Sequence, residues 1–128
     1  MTFFARYFAA LDGPDPHSSL DLVAADVAFS IQWAAGEDRK SRQFTGGREE
    51  LRGFINAGDM DGWAHHVLHS GTEGDVEFAL GETRTDAGER LGTFLAVAQL
   101  DGDGRMVRYM VARSAAIAFD TGARVDAG

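Results

Sequence analysis

The chain contains no cysteine. Disulfides, thiolate nucleophiles and thiolate metal sites are excluded together. No apolar run approaches the roughly 18 residues of a membrane-crossing helix, so a transmembrane helix is excluded. Positive charge is scarce: 12 basic residues against 20 acidic ones give a net charge of −8. An acidic chain repels phosphate backbones, and no basic stripe with interleaved aromatics offsets this, which disfavours nucleic acid as a partner. The same charge favours solubility. The segment Met1–Arg6 has no basic stretch followed by a long apolar one. No secretory leader is therefore expected, and the expected location is the cytoplasm. Neither a Gly-rich phosphate loop nor a His-Glu-x-x-His zinc signature occurs. A Gly-x-Ser-x-Gly elbow is also missing, which leaves serine-hydrolase chemistry without its nucleophile.

What the chain does have is concentrated between Trp63 and Phe119. Three acidic glycine clusters divide this stretch: Glu73-Gly74-Asp75, Asp86-Ala87-Gly88-Glu89 and Asp101-Gly102-Asp103-Gly104. Acidic residues beside glycine tolerate the left-handed backbone of tight hairpins, so each cluster reads as a turn. The intervening segments, Trp63–Thr72, Val76–Thr85, Arg90–Leu100 and Arg105–Phe119, are rich in β-branched and aromatic residues. They predict a four-stranded antiparallel meander. Strands of this length twist and curl, and a curled sheet has a concave face to fill.

The first half supplies the filling. Thr2 is a candidate N-cap, and Phe4, Tyr7, Phe8 and Leu11 recur at helical spacing. Asp12-Gly13-Pro14-Asp15-Pro16 ends that helix, because proline cannot continue it and glycine suits its C-terminal cap. Ser18 and Asp21 resemble a capping box for a short second helix carrying Leu20, Val23 and Ala24 inward. Alternation over Asp26–Trp33 predicts a strand, and Ser41–Thr45 a short edge strand. A third helix, Arg48–Ala57, has Glu49 and Glu50 in its first turn, where the helix dipole favours acids. Leu51, Phe54 and Ile55 mark its inner face. The class is α+β, with helices on one face of a bent sheet and an uncovered remainder that becomes a pocket.

Five pieces in this order carry a resemblance: Tyr7–Leu11, Leu22–Phe29, Gly47–Leu51, His65-His66-Val67 and Asp103–Tyr109. Together the chain resembles the nuclear transport factor 2-like superfamily, especially its bacterial SnoaL-like, polyketide-cyclase-like branch. The resemblance implies a cystatin-like fold: a cone-shaped, curved antiparallel sheet in the order α-α-β-β-α-β-β-β-β, with three helices on its concave face. It implies one domain over 1–121, and 122–128 is expected to be a disordered tail. It also implies a homodimer through the outer face of the sheet. No single activity follows, since such relatives include isomerases, cyclases, hydrolases and plain binding proteins. Active relatives often place an acid two residues past the aromatic of the last strand. Here that position is Val111, so a carboxylate base on that strand is absent.

The remaining candidates are weighed by type. Val107, Tyr109, Val111 and Arg113 share one strand face, assigned to the pocket because it holds the motif's aromatic. Tyr109 there is either a hydrogen-bond donor to a carbonyl or enolate oxygen or an ordinary core aromatic. Arg113 is either an anion holder or a cation at the rim. Of His65, His66 and His69, alternation sets the first and third on one face. Their spacing separates them by about 13 Å, too far for one metal, and no metal or other cofactor is expected. His66 matches the family's histidine at the start of this strand and is the preferred acid–base group, with a structural role as its alternative. Glu82 is the carboxylate that can replace the missing base, or else half of a surface pair with Arg84. Phe8, Trp33, Phe54 and Trp63 are expected as apolar wall or rim. Two functions stay open. One is an isomerase, cyclase or hydrolase acting on a polyketide, steroid or terpenoid through His66, Tyr109 and Glu82. The other is a non-catalytic protein holding a small hydrophobic molecule, or a dimeric accessory module.

Overall fold

The computed structural model describes residues 2–34, 41–57 and 62–119. Helix α1, Phe3–Leu11, begins on Thr2, whose hydroxyl accepts the Ala5 N–H at 3.2 Å. A second, unexpected cap comes from the sheet. The buried Glu77 carboxylate accepts the N–H groups of Phe3 and Phe4 at 3.1 and 2.8 Å. Phe3, Phe4, Tyr7, Phe8 and Leu11 are all buried, so α1 lays an almost wholly aromatic face on the sheet. Asp12 is its C-cap.

The second helix differs from expectation in kind and extent. It is a 3₁₀ helix, Pro16–Leu22, and Val23 and Ala24 already belong to the first strand. No capping box forms; the Ser18 hydroxyl instead donates to the Asp15 carbonyl at 2.7 Å. Proline at its start fixes φ where the missing N–H costs nothing. Helix α2, Arg48–Ala57, opens with Glu50 accepting the Gly47 N–H at 2.7 Å, which satisfies one of its orphan donors.

Six strands form one sheet: β1 Val23–Ala34, β2 Ser41–Gly46, β3 Trp63–Glu73, β4 Val76–Thr85, β5 Arg90–Leu100 and β6 Met106–Ser114. Their spatial order is β2-β1-β6-β5-β4-β3. The meander closes back so that β6 lies parallel to β1, while every other pair is antiparallel. The sheet is curved and does not close, since β2 and β3 remain its edges. The three turns fall where the acidic glycine clusters stand. Gly74 and Gly104 have φ of 61° and 78°, in the region that disfavours side chains.

The core lies on the inner face, between α1, α2 and the strands. It gathers Phe3, Phe4, Tyr7 and Phe8 with Phe29, Ile31, Leu51, Phe94, Tyr109 and Val111. Leu95 is exposed on the outer face, whereas Phe94 is buried on the inner one. Gly81 lies opposite it in β4, and a Cβ there would stand 2.5 Å from the Phe94 ring. The glycine therefore makes the space that the ring fills. Met106 is buried in the same core. Register shifts flank the start of β6 on both sides, and such bulges break strict alternation. The outer face keeps Phe78, Leu95 and Met110 exposed. Among the described residues no helix is long and apolar enough to cross a membrane.

Candidate functional site

The bulge between Val67 and His69 decides which histidine faces inward. Before it, His65 pairs with Thr83 and His66 with Glu82. His65 thereby joins the inner face with Val67 and Gly81, and His66 takes the outer one. Past the extra residue, His69 pairs with Leu80 and is exposed on the same side as His66. The expected placement of His66 in the cavity is therefore corrected: His66 is exposed, and the histidine inside is His65. The expected sharing of one face by His65 and His69 fails for the same reason. A bulge inverts alternation for everything beyond it.

The His65 side chain is 1% exposed. Its ring stacks on Phe8 at 4.3 Å between centroids and meets Phe94 edge-on at 5.4 Å. Trp63 lies 5.1 Å away. This aromatic box fixes the ring plane, and two polar contacts fix its rotation within that plane. Asp12, the C-cap of α1, lies 2.9 Å from Nδ1 and also accepts the His65 backbone N–H at 2.7 Å. Nη2 of Arg113, from β6, lies 3.0 Å from Nε2. A guanidinium can only donate, and an ionised carboxylate can only accept. Neutral His65 therefore carries its proton on Nδ1, donated to Asp12, and offers the Nε2 lone pair to Arg113. Burial is the main cause that lowers the His65 pKa; the Asp12 hydrogen bond and charge oppose it, and Arg113 and His66 reinforce it.

Arg113 is held by packing as much as by charge. Its guanidinium carbon sits 5.5 Å from the Trp63 ring centroid, within cation–π range. Burial lowers its pKa, but a guanidinium stays protonated in any ordinary range. Its Nε is buried and makes no hydrogen bond among the described residues. Tyr7 and Tyr109 face each other at 5.7 Å. Burial raises both phenols, so both hydroxyls are protonated donors at neutral pH.

These groups border a cavity of about 80 Å³ lined by Tyr7, Leu11, Phe54, Trp63, His65, Tyr109 and Arg113, among others. That is about half the 150 Å³ or so that admits benzene. Phe54 and Arg113 also border a more open depression of about 250 Å³, with Thr83, Leu91 and Gly92 on its walls. The two spaces share those side chains as walls.

Of the expected site residues, the structure brings Tyr109, Arg113, Phe54 and Trp63 together at the cavity. Phe8 supports it indirectly, by stacking under His65, and Phe4 is packed against Phe8 and Tyr109 in the core. Val111 is buried in the core beside Ala96, and Val107 is half-buried and not on the cavity wall. The side chain of Trp33 lies outside the described residues. Glu82 lies on the outer face away from the cavity, yet it is buried there, bound to Arg84 Nε at 2.5 Å, so it is neither a cavity base nor an exposed surface pair. Asp12 and Tyr7 were not anticipated as site residues. Asp12 carried a readable signal, since an acid at a helix C-terminus opposes the dipole and needs a partner elsewhere.

Neither a family model nor a curated protein matches this sequence. Solved structures do match it in shape. A SnoaL-like protein from Agrobacterium tumefaciens, provisionally assigned as an isomerase, superposes with a TM-score of 0.69 at 13% identity over 87% of this chain and 93% of that one. IdmH from Streptomyces antibioticus, provisionally assigned as a polyketide cyclase, gives 0.67 at 17% identity over 87% and 88%. A protein of unknown function from Burkholderia xenovorans, described as like nuclear transport factor 2, gives 0.65 at 13% identity over 97% and 88%. The fold is thus that of the nuclear transport factor 2-like and SnoaL-like proteins.

Proposed function

From this fold and the contacts of His65, we propose that the chain is an acid–base enzyme acting on an enolisable carbonyl compound, as an isomerase or cyclase would. The observation that carries the reading is the buried line Asp12–His65–Arg113, with contacts of 2.9 and 3.0 Å on the two ring nitrogens. His65 Nε2 removes a proton from the carbon beside the carbonyl, and the electron pair moves onto the carbonyl oxygen. Asp12 stabilises the imidazolium that forms and holds the ring in the productive tautomer. Arg113 and the Tyr109 hydroxyl face the developing oxyanion. Returning the proton to a different carbon isomerises the substrate; attack of the enolate on a second carbonyl closes a ring. A lowered His65 pKa keeps Nε2 unprotonated into mildly acidic solution.

Incubation with small β-keto esters and β-keto acids in deuterium oxide tests this. The wild-type chain should accelerate exchange at the activated carbon, and His65→Gln should lose roughly 10²–10⁴-fold of that rate. Exchange that survives in His65→Gln would overturn the assignment. Ligand binding without any exchange would leave a binding protein instead. We also propose self-association through the outer face, motivated by the exposed Phe78, Leu95 and Met110. Light scattering that returned the mass of one chain at micromolar concentration would reject it.

A further inference from the structure

In the empty site the base is covered. The Nε2 lone pair of His65, which proton abstraction requires, is occupied by the Arg113 Nη2–H at 3.0 Å. Arg113 meanwhile keeps a buried N–H on Nε without a partner among the described residues, an arrangement that is unfavourable for a desolvated donor. Asp12 does not relieve it, since that carboxylate accepts from the backbone and ring of His65. The cavity thus holds a cation whose hydrogen bonds are incompletely used, next to a base that is blocked by that same cation.

We propose that the cavity takes the carboxylate head of a small oxo acid, which draws the Arg113 guanidinium onto itself and thereby uncovers Nε2 of His65. This rests on the acid–base reading above and adds a substrate class to it. Size supports the choice. About 80 Å³ admits a head of roughly three or four non-hydrogen atoms, the size of a carboxylate with its attached carbon. The neighbouring depression of about 250 Å³, beyond Phe54 and lined by Leu91 and Gly92, receives the rest of the molecule. Charge supports it too: a planar guanidinium offers paired donors that match a carboxylate, and such charge-assisted bonds are about twice as strong as neutral ones. Substrate binding and exposure of the base then become one event. A neutral carbonyl compound draws Arg113 away from Nε2 less strongly, because it offers no charge to the guanidinium.

The groups that face His65 are Asp12 and Tyr7 from α1, Arg113 and Tyr109 from β6, and His66 as its neighbour on β3. An anion on Arg113 removes a donor from Nε2 and offsets a positive charge, so both effects raise the pKa of His65. The probes are acetate and acetamide, which match in size and differ in charge. With isotope-labelled histidine, nuclear magnetic resonance resolves four imidazoles in the chain. Acetate should shift the His65 resonances saturably, raise its titration midpoint, and bind at least about tenfold more tightly than acetamide. Equal responses to the two probes, or no response of His65 to either, would overturn the proposal. In Arg113→Gln, the midpoint of empty His65 should be higher than in the wild type, and acetate should no longer move it. Persistence of the acetate response in that variant also overturns it. If Arg113→Gln does not fold, the acetate and acetamide comparison on the wild type decides alone. The two readings fail separately. An enzyme that needs His65 but ignores acetate refutes the anion head only. An acetate-responsive His65 in a protein whose exchange activity survives His65→Gln refutes the acid–base reading only.

Discussion

The two ends of α1 are both tied to the sheet by carboxylates, and they use them in opposite ways. At the N-terminal end Glu77 reaches from β4 and accepts two backbone N–H groups of the helix. The helix dipole favours a negative charge there, and the first-turn donors need partners in any case. Nothing is left over for chemistry. At the C-terminal end Asp12 belongs to the helix and reaches out to His65 on β3. There the dipole disfavours it, so local energetics give no reason for an acid. The lesson is that a charge placed with the local field is explained by folding, whereas a charge placed against it points to a tertiary partner and often to function.

Removing the carboxylate at each end separates the two roles. The largest effect is expected for Asp12→Asn: exchange activity should fall by about 10²–10⁴-fold, through loss of imidazolium stabilisation and of the preferred tautomer. Its melting temperature should change little. A variant that lost stability without losing turnover would erase the distinction. At the other end, Glu77→Ala should cost about 3 kcal/mol or more, because two charge-assisted bonds to buried donors are lost together. Calorimetry should show a melting temperature lower by about 10 °C. The rate constant of the folded fraction should stay within about twofold.

The floor beneath the Asp12 end gives a third test. Gly81→Ala should destabilise by about 1–3 kcal/mol, since the added methyl meets the Phe94 ring on which the His65 edge rests. Denaturant unfolding measures the loss. Activity should fall as well, in contrast to Glu77→Ala, because Phe94 is part of the box around the imidazole.

The smallest effect is one of pH. The folded-state pKa of His65 is lowered, chiefly by burial. The unfolded chain therefore binds more protons than the folded one between that lowered value and the ordinary histidine value near 6.5. The contribution of His65 to stability is complete above about pH 6.5 and declines as the pH falls below it. Melting temperatures of wild type and His65→Gln, compared across that range, should diverge in slope only on the acid side. A parallel course would mean that the imidazole is solvated in the folded chain.

How much of this was legible in the sequence varied with how local the cause was. The strands Val76–Thr85 and Arg90–Leu100 and the helix Arg48–Ala57 end where the sequence predicts. Their limits come from glycine, acidic turn residues and caps acting over a few positions. Tyr109 and Arg113 lie on the cavity side because β6 alternates without interruption from Arg108 to Arg113 against β1. His66 is preferred on its match to the family's histidine, whereas strand phase turns His65 inward beside Val67; the extra residue between Val67 and His69, which carries no turn signature of its own, reverses only His69. The inward places of Phe94 and Met106 are equally non-local: one fills the space above a glycine on the next strand, the other follows a register shift. Glu77 reads locally as a polar residue of a strand. Its role exists only because the first turn of α1, over 70 residues earlier, lands on it.

The position of β6 has a consequence for how the molecule is made. It is the final strand of the sheet in chain order and yet lies third across it, between β1 and β5. As the chain leaves the ribosome, both flanking strands are complete before the one that joins them. Until β6 inserts, β1 and β5 present unpaired edges, the kind of surface that recruits a neighbouring chain. Such long-range closure is slow compared with hairpin formation. Arg113 arrives with that same strand, so the Asp12–His65–Arg113 contacts and the continuous sheet come into being in one step.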